Sequence, residues 1–201
     1  MNLTEGQKDY SSQEFKGLVL KDAQLKSMEF ESCVFSRCSF HDAAFEYCRF
    51  RDCTFQKCDL SFAHFKACTF VHTAFEDSQL IGINWTETAW TKSMLREPVN
   101  FVSCALNHSI FTGLSLRAVS IVKCVARDVD FSECDLTRAN CTSTDFAESR
   151  FEHTNLTEAD FTGATNYAIS ASHNTLKKTK FSLPEAMSLL HYLDIVLTEP
   201  S

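Results

Sequence analysis

From Phe15 onward every fifth residue is large and apolar: Phe15, Leu20, Leu25, Phe30, Phe35, Phe40, Phe45, Phe50, Phe55, Leu60, Phe65, Phe70, Phe75, Leu80, Trp85, Trp90 and Leu95. The register slips by one residue and resumes as Phe101, Leu106, Phe111, Leu116, Ile121, Ala126, Phe131, Leu136, Cys141, Phe146, Phe151, Leu156 and Phe161. A helix repeats apolar positions every 3.6 residues and a strand every 2, so neither yields this pattern. A fixed short period sustained over most of a chain is the mark of a solenoid.

A second row confirms the period. Two residues before each centre sits a small or compact residue: Cys33, Cys38, Ala43, Cys48, Cys53, Cys58, Ala63 and Cys68, and later Cys104, Ser109, Cys124, Cys134, Ala139, Thr144 and Ser149. The other three positions of each step are mostly polar. Each five-residue unit therefore points two side chains inward and three outward. One unit cannot bury its own apolar pair, but stacked turns can, because each covers the next.

Within this register, Ala159-Asp160-Phe161-Thr162-Gly163, Cys58-Asp59-Leu60-Ser61-Phe62 and Cys134-Asp135-Leu136-Thr137-Arg138 resemble the A(D/N)LXX motif of pentapeptide-repeat proteins. The resemblance runs over residues 13–181. It implies an all-β fold, a right-handed quadrilateral parallel β-helix with four units per coil, and hence about seven coils. The periodicity by itself gives neither the four sides nor the hand.

Three stretches depart from the repeat. Residues 1–12 are expected to be a weakly ordered lead-in. Arg96, Glu97, Pro98, Val99 and Asn100 carry one extra residue, and Pro98 lacks a backbone donor, so a bulge is expected there. It is either a tolerated surface irregularity or an interaction knob. Residues 182–201 change character altogether. Ser182-Leu183-Pro184-Glu185 fits a capping box with Pro in the first turn, and Ala186, Leu189, Leu190 and Leu193 then mark one apolar helix face. Ile195, Val196 and Leu197 read as a short strand. An open solenoid end needs a cover, but this element is larger than a cover requires. A homodimer contact through Ala186, Leu189, Leu190, Leu193, Ile195 and Leu197 is therefore expected.

Composition narrows the function. The chain has 201 residues, 18 of them Phe, and only five Gly and three Pro. It has no apolar run of membrane-spanning length, and its first residues are polar, without a signal-peptide apolar stretch. No membrane association and a cytoplasmic location are expected. Nine of the ten Cys fall on the small inward row and Cys141 falls on a centre, which assigns them to packing as free thiols. No C-x-x-C, phosphate loop or nucleophile elbow occurs, and the seven His show no ligand spacing. No catalytic residue, metal or cofactor is expected.

Charge supplies a candidate surface. Nine acids lie between residues 128 and 160, namely Asp128, Asp130, Glu133, Asp135, Asp145, Glu148, Glu152, Glu158 and Asp160. Within that segment only Arg138 and Arg150 oppose them, leaving −7, the net charge of the whole chain. At ~4.8 Å per stacked strand the segment spans roughly 8 Å of axis. Its linear charge density would then exceed that of duplex DNA, about one charge per ~1.7 Å. Such a belt favours a basic protein surface as partner and disfavours direct nucleic-acid binding.

Gly82-Ile83-Asn84-Trp85, Trp90 and the tail Phe181-Ser182-Leu183-Pro184-Glu185-Ala186 are similar to the pentapeptide-repeat proteins that protect bacterial type II topoisomerases, the Qnr quinolone-resistance proteins and the albicidin-resistance protein. That resemblance implies a non-enzymatic homodimer. Its partner would be DNA gyrase, with topoisomerase IV as a second target, and it would shield the enzyme from a poison such as albicidin or a quinolone. The mechanism would be DNA displacement by mimicry or dislodging of the drug. An interaction scaffold unrelated to topoisomerases is the alternative.

Overall fold

In the computed structural model of the chain, residues 6–89, 99–193, 195, 196 and 198 are described. They form a right-handed quadrilateral parallel β-helix of about 8 turns with almost no helix. One wall is a six-stranded parallel sheet of Glu14–Lys16, Val34–Ser36, Thr54–Gln56, Ala74–Glu76, Asn100–Val102 and Ser120–Val122. A second stacks Asp9–Ser11, Glu29–Glu31, Arg49–Arg51 and Thr69–Val71, and a third Gln24–Lys26, Ala44–Glu46 and His64–Lys66. The fourth side is held by single bridges from Val19 through Ser39, Asp59, Gln79, Ala105 and Val125 to Asp145. The first wall strand, Asp9–Ser11, lies inside the stretch expected to be a lead-in: Tyr10 is buried and stacks on Phe30 at 5.3 Å.

The five-residue period follows from how each corner is made. The carbonyl of a centre accepts the amide of the small residue three positions on, as in Ala43 to Phe40 (2.9 Å), Ala63 to Leu60 (3.0 Å) and Ala159 to Leu156 (3.0 Å). Such a turn needs a positive φ at its third residue. Residues two past a centre supply one, at +47° to +63° where they are not glycine; Glu87 is an exception, because Trp85–Glu87 is a 3-10 helix. Glycine is the usual occupant of this conformation, yet Ser, Asp, Lys, Arg and Glu hold most of these corners here. Inter-coil amide bonds fix the backbone around them.

Strand partners lie 20 residues apart, so identical positions stack. Phe15, Phe35, Phe55, Phe75 and Phe101 form one column with ring centroids 4.6–5.4 Å apart. Phe45, Phe65, Trp85, Phe111, Phe131 and Phe151 form another, spaced 5.1–5.7 Å. The small inward row is more than filler. Thr144 donates its hydroxyl to the Ile121 carbonyl (2.6 Å) and accepts the Cys124 amide (3.1 Å). Ser78 does the same with the Phe55 carbonyl and the Cys58 amide, and the Cys58 thiol with the Phe35 carbonyl and the Cys38 amide. These side chains join adjacent coils at groups that burial would otherwise leave without partners. All ten cysteines are free and buried, as the packing assignment requires.

The interruption is larger than a single residue. Phe75 pairs with Phe101, Gln79 with Ala105 and Asn84 with Ile110, each 26 residues apart instead of 20. Six residues are therefore inserted between Ala89, whose amide still bonds the Cys68 carbonyl, and Asn100, whose amide bonds Thr73. Phe101, and not Leu95, occupies the position above Phe75. A five-residue period hides one whole unit of the insertion, because Leu95 is apolar. Val99 is buried in the inward row and Asn100 opens a strand. Arg96, Glu97 and Pro98 lie outside the described residues.

The C-terminal segment also departs from expectation. Glu185–Tyr192 is a 3-10 helix with Pro184 at its N-cap position and no side-chain cap. The expected capping box is absent because its two side chains turn back onto the last coils. The Ser182 hydroxyl accepts the Gly163 amide and the Glu185 carboxylate accepts the Asn166 amide. Leu189 packs against the core, whereas Met187, Leu193 and Ile195 are exposed. Ile195 and Val196 form no strand, and Leu197 lies outside the described residues.

The stacked column predicts a large penalty for Phe55→Ala. Phe55 is fully buried between Phe35 at 4.6 Å and Phe75 at 5.0 Å. A rigid neighbouring coil cannot collapse into the void, so denaturant unfolding should show a loss of ~3–5 kcal/mol. A loss below ~1 kcal/mol would mean that the column is not close-packed.

Candidate interaction surface

Stacking the coils brings bases from outside the segment to the acidic belt. Asp135 pairs with Arg117 (2.9 Å), Asp145 with Arg127 (2.7 Å) and Glu158 with Arg138 (2.7 Å). Asp130 pairs with Arg150 (3.5 Å) and Asp160 with Lys180 (3.0 Å), while Asp128 and Glu152 face His108 and His173. Arg117, Arg127 and Lys180 stand 18–20 residues from their partners, outside the sequence window that made the segment look uniformly negative. Glu133 and Glu148 have no ion pair among the described residues. Arg117, Arg127 and Lys180, which lie outside the segment, thus offset part of its charge.

Four of these acids also carry the turns. One carboxylate oxygen of Asp130, Asp135, Asp145 and Asp160 accepts the amide two residues on, at Ser132 (2.9 Å), Thr137 (3.1 Å), Ala147 (3.1 Å) and Thr162 (2.9 Å). Asn84, Asn140 and Asn155 do the same elsewhere. This is why the motif's second position takes Asp or Asn. Burial pushes the Asp130 carboxyl up, but the Ser132 bonds and the Arg150 charge outweigh it and hold it below the usual range. Asp135 and Asp145 are likewise held low against burial, by Thr137 and Arg117 and by Asn166 and Arg127. For Asp160 the Thr162 bond is the largest cause, and Lys180 adds to it.

The true register reveals an acidic stripe along one corner. There the amide of each residue two past a centre bonds the carbonyl just before its successor. This chain of bonds links Asp22, Asp42, Phe62, Gly82, His108, Asp128 and Glu148 in axial order. Four of seven positions are carboxylates. The next corner carries Arg37, Lys57, Asp77, Ser103 and Lys123 by the same logic. The wall between them thus has one acidic and one basic edge.

No group of three His, Cys, Asp or Glu among the described residues could hold a metal ion. Burial pushes the Cys53 and Cys134 thiols up to about 12, which keeps them protonated and unreactive. No helix among the described residues is long and apolar enough to cross a membrane.

Comparison with known proteins gives a consistent picture. The model of the pentapeptide repeat region matches residues 28–98, and that of pentapeptide repeats (8 copies) matches 99–138 and 127–163. No curated protein matches the chain in sequence. Among solved structures, trypsin-treated QnrB1, a plasmid-mediated fluoroquinolone resistance protein, superposes with a TM-score of 0.62 at 15% identity. That match covers 94% of this chain and 100% of the other. Full-length QnrB1 gives a TM-score of 0.55 at 16% identity, covering 93% and 100%. HetL, involved in heterocyst differentiation regulation in the cyanobacterium Nostoc sp. strain PCC 7120, gives 0.60 at 13% identity, covering 87% and 90%.

The stapling carboxylates set an acid limit on stability. Their folded forms titrate below the unfolded value of ~3.9, so the stability they contribute is complete above that value. It is lost as pH falls through their depressed folded values. The melting temperature should be nearly flat from pH 7 to about 5 and fall below about 4. In Asp135→Asn/Asp145→Asn, which keeps the turn acceptors, the acid limb should be shallower. An unchanged limb would show that these groups do not set it.

Proposed function

We propose a function from the premise that this chain belongs to the pentapeptide-repeat family: it is a non-enzymatic protein that binds DNA gyrase, with topoisomerase IV as a second target, and protects the enzyme from a topoisomerase poison. The observation that carries this reading is the end-to-end superposition on the fluoroquinolone resistance protein QnrB1. A rod with an acidic corner suits a basic groove that otherwise holds DNA. Its attraction would rest on the corner acids Asp22, Asp42, Asp128 and Glu148 more than on the stapled Asp130, Asp135, Asp145 and Asp160. The superposition on HetL supports a second reading, a regulatory scaffold with a different protein partner.

Gyrase supercoiling, with and without a fluoroquinolone or albicidin, separates the two. Addition of the protein should restore supercoiling in the presence of at least one poison. Neutralising the four corner acids to Asn or Gln should weaken gyrase binding and flatten its salt dependence, whereas Asp-to-Asn changes at the four stapled positions should do so less. No effect on supercoiling with either drug, and no gyrase retained in a pull-down, would leave the scaffold reading.

The exposed apolar residues beyond the last coil fit a homodimer contact. Leu193 and Ile195 are 43% and 51% exposed, and the 3-10 helix before them is seated on the core through Leu189. Light scattering of the full chain should give a dimer mass. Leu193→Asp/Ile195→Asp should give a monomer with an unchanged melting temperature, because an unpaired charge at the contact is costly. A persistent dimer would place the interface elsewhere.

A further inference from the structure

Phe62 breaks the acidic corner. Among the large apolar side chains it is 47% exposed, and it holds a left-handed backbone (φ +60°) where neighbouring coils place Asp42 below and Gly82 above. Its ring lies over Gly82: a Cβ there would meet the ring at 2.6 Å. Any side chain at that corner would push the ring off the surface. The His41 ring meets Phe62 edge-on at 5.6 Å and 82°, and His41 is itself held by Asp42 (3.2 Å) and Asp59 (3.4 Å). The ring is therefore supported on one side by glycine backbone and on another by an imidazole fixed between two carboxylates.

We propose that Phe62 is an anchor point for a cationic side chain, an arginine guanidinium, presented by the partner protein. A planar guanidinium can lie on an aromatic ring while its N–H groups reach carboxylates, a combination that an ammonium or an apolar side chain satisfies less well. Asp42 and Asp59 stand one side chain away through His41, and the corner continues with Asp128 and Glu148 beyond His108. An apolar occupant would find its rim lined by charge. A support that already immobilises the ring lowers the ordering cost of binding, and pre-set aromatics are the residues on which interface affinity concentrates. The inference rests on the gyrase reading and specifies which point of the corner the partner grips.

The test measures the affinity of the full-length protein for gyrase, at low and moderate salt, for wild type and for Phe62→Ala, Phe62→Leu, Phe62→Trp and Asp42→Asn. Phe62→Ala should weaken binding by ~30-fold, the scale of an anchor truncation. Phe62→Trp should retain it, and Phe62→Leu should fall close to Ala. Phe62→Ala and Asp42→Asn combined should lose less than the product of the separate losses, because both act on one cation. Melting of the Phe62 variants should match wild type. Absence of wild-type binding overturns the gyrase reading and this inference with it. Wild-type binding that Phe62→Ala leaves intact overturns this inference alone. Full retention by Phe62→Leu overturns the cationic partner.

Discussion

Parallel, in-register stacking is the constraint on which everything else in this molecule depends. An amide that leaves one coil has one place to go, the carbonyl of the coil beside it, so every position must repeat at the same height and on the same side. That requirement fixes the section of the core. A phenylalanine at one centre sets the room available above and below it, which is why rings recur at 4.6–5.7 Å in long columns. Where Ile121 and Cys141 replace Phe in one column, the aromatic stack lapses and resumes as Phe161 over Phe181. The same constraint explains the thiols and hydroxyls of the inner row. They bridge a carbonyl and an amide of adjacent coils, and Cys, Ser and Thr are the smallest side chains that can do so.

Stacking also governs the electrostatics. Residues about 20 apart are nearest neighbours, so the Lys and Arg partners of the paired carboxylates come from one coil away. Lys26 and Glu46, Arg49 and Glu29, and Arg138 and Glu158 are all pairs of this kind. Each is exposed and individually weak. Together such pairs offset part of the charge that a sum over a sequence window suggests.

Much of the fold was legible because one side chain in five had to be apolar and one had to be small. Those two rows gave the coil positions of nearly every centre from Phe15 to Phe75 and from Phe101 to Phe161. The corners were not legible, since the left-handed residues are Ser, Asp, Lys or Glu and no glycine pattern marks them. The six-residue insertion was hidden for a different reason. Leu95 is apolar at the next five-residue step, and an insertion longer than one unit by a single residue leaves only that residue visible. This error propagated to the surface: with a shift of one residue instead of six, Asp128 and Glu148 fall out of line with Asp22 and Asp42. The acids themselves could be listed from sequence, but their pairing and their alignment could not.

The insertion shows how the constraint can be relaxed without being broken. Six extra residues enter between Ala89 and Asn100, yet the bridge from Gln79 to Ala105 and that from Asn84 to Ile110 keep the regular geometry. The extra length is therefore confined to one place, and the coil closes as though it were absent. Trp85 stacks on Phe65 below and Phe111 above, so the column is continuous beside it. A solenoid tolerates such an addition because each coil bonds only to its two neighbours. Surface features can thus vary in length while the axial register of the corners, and hence the spacing of any charges displayed on them, stays fixed.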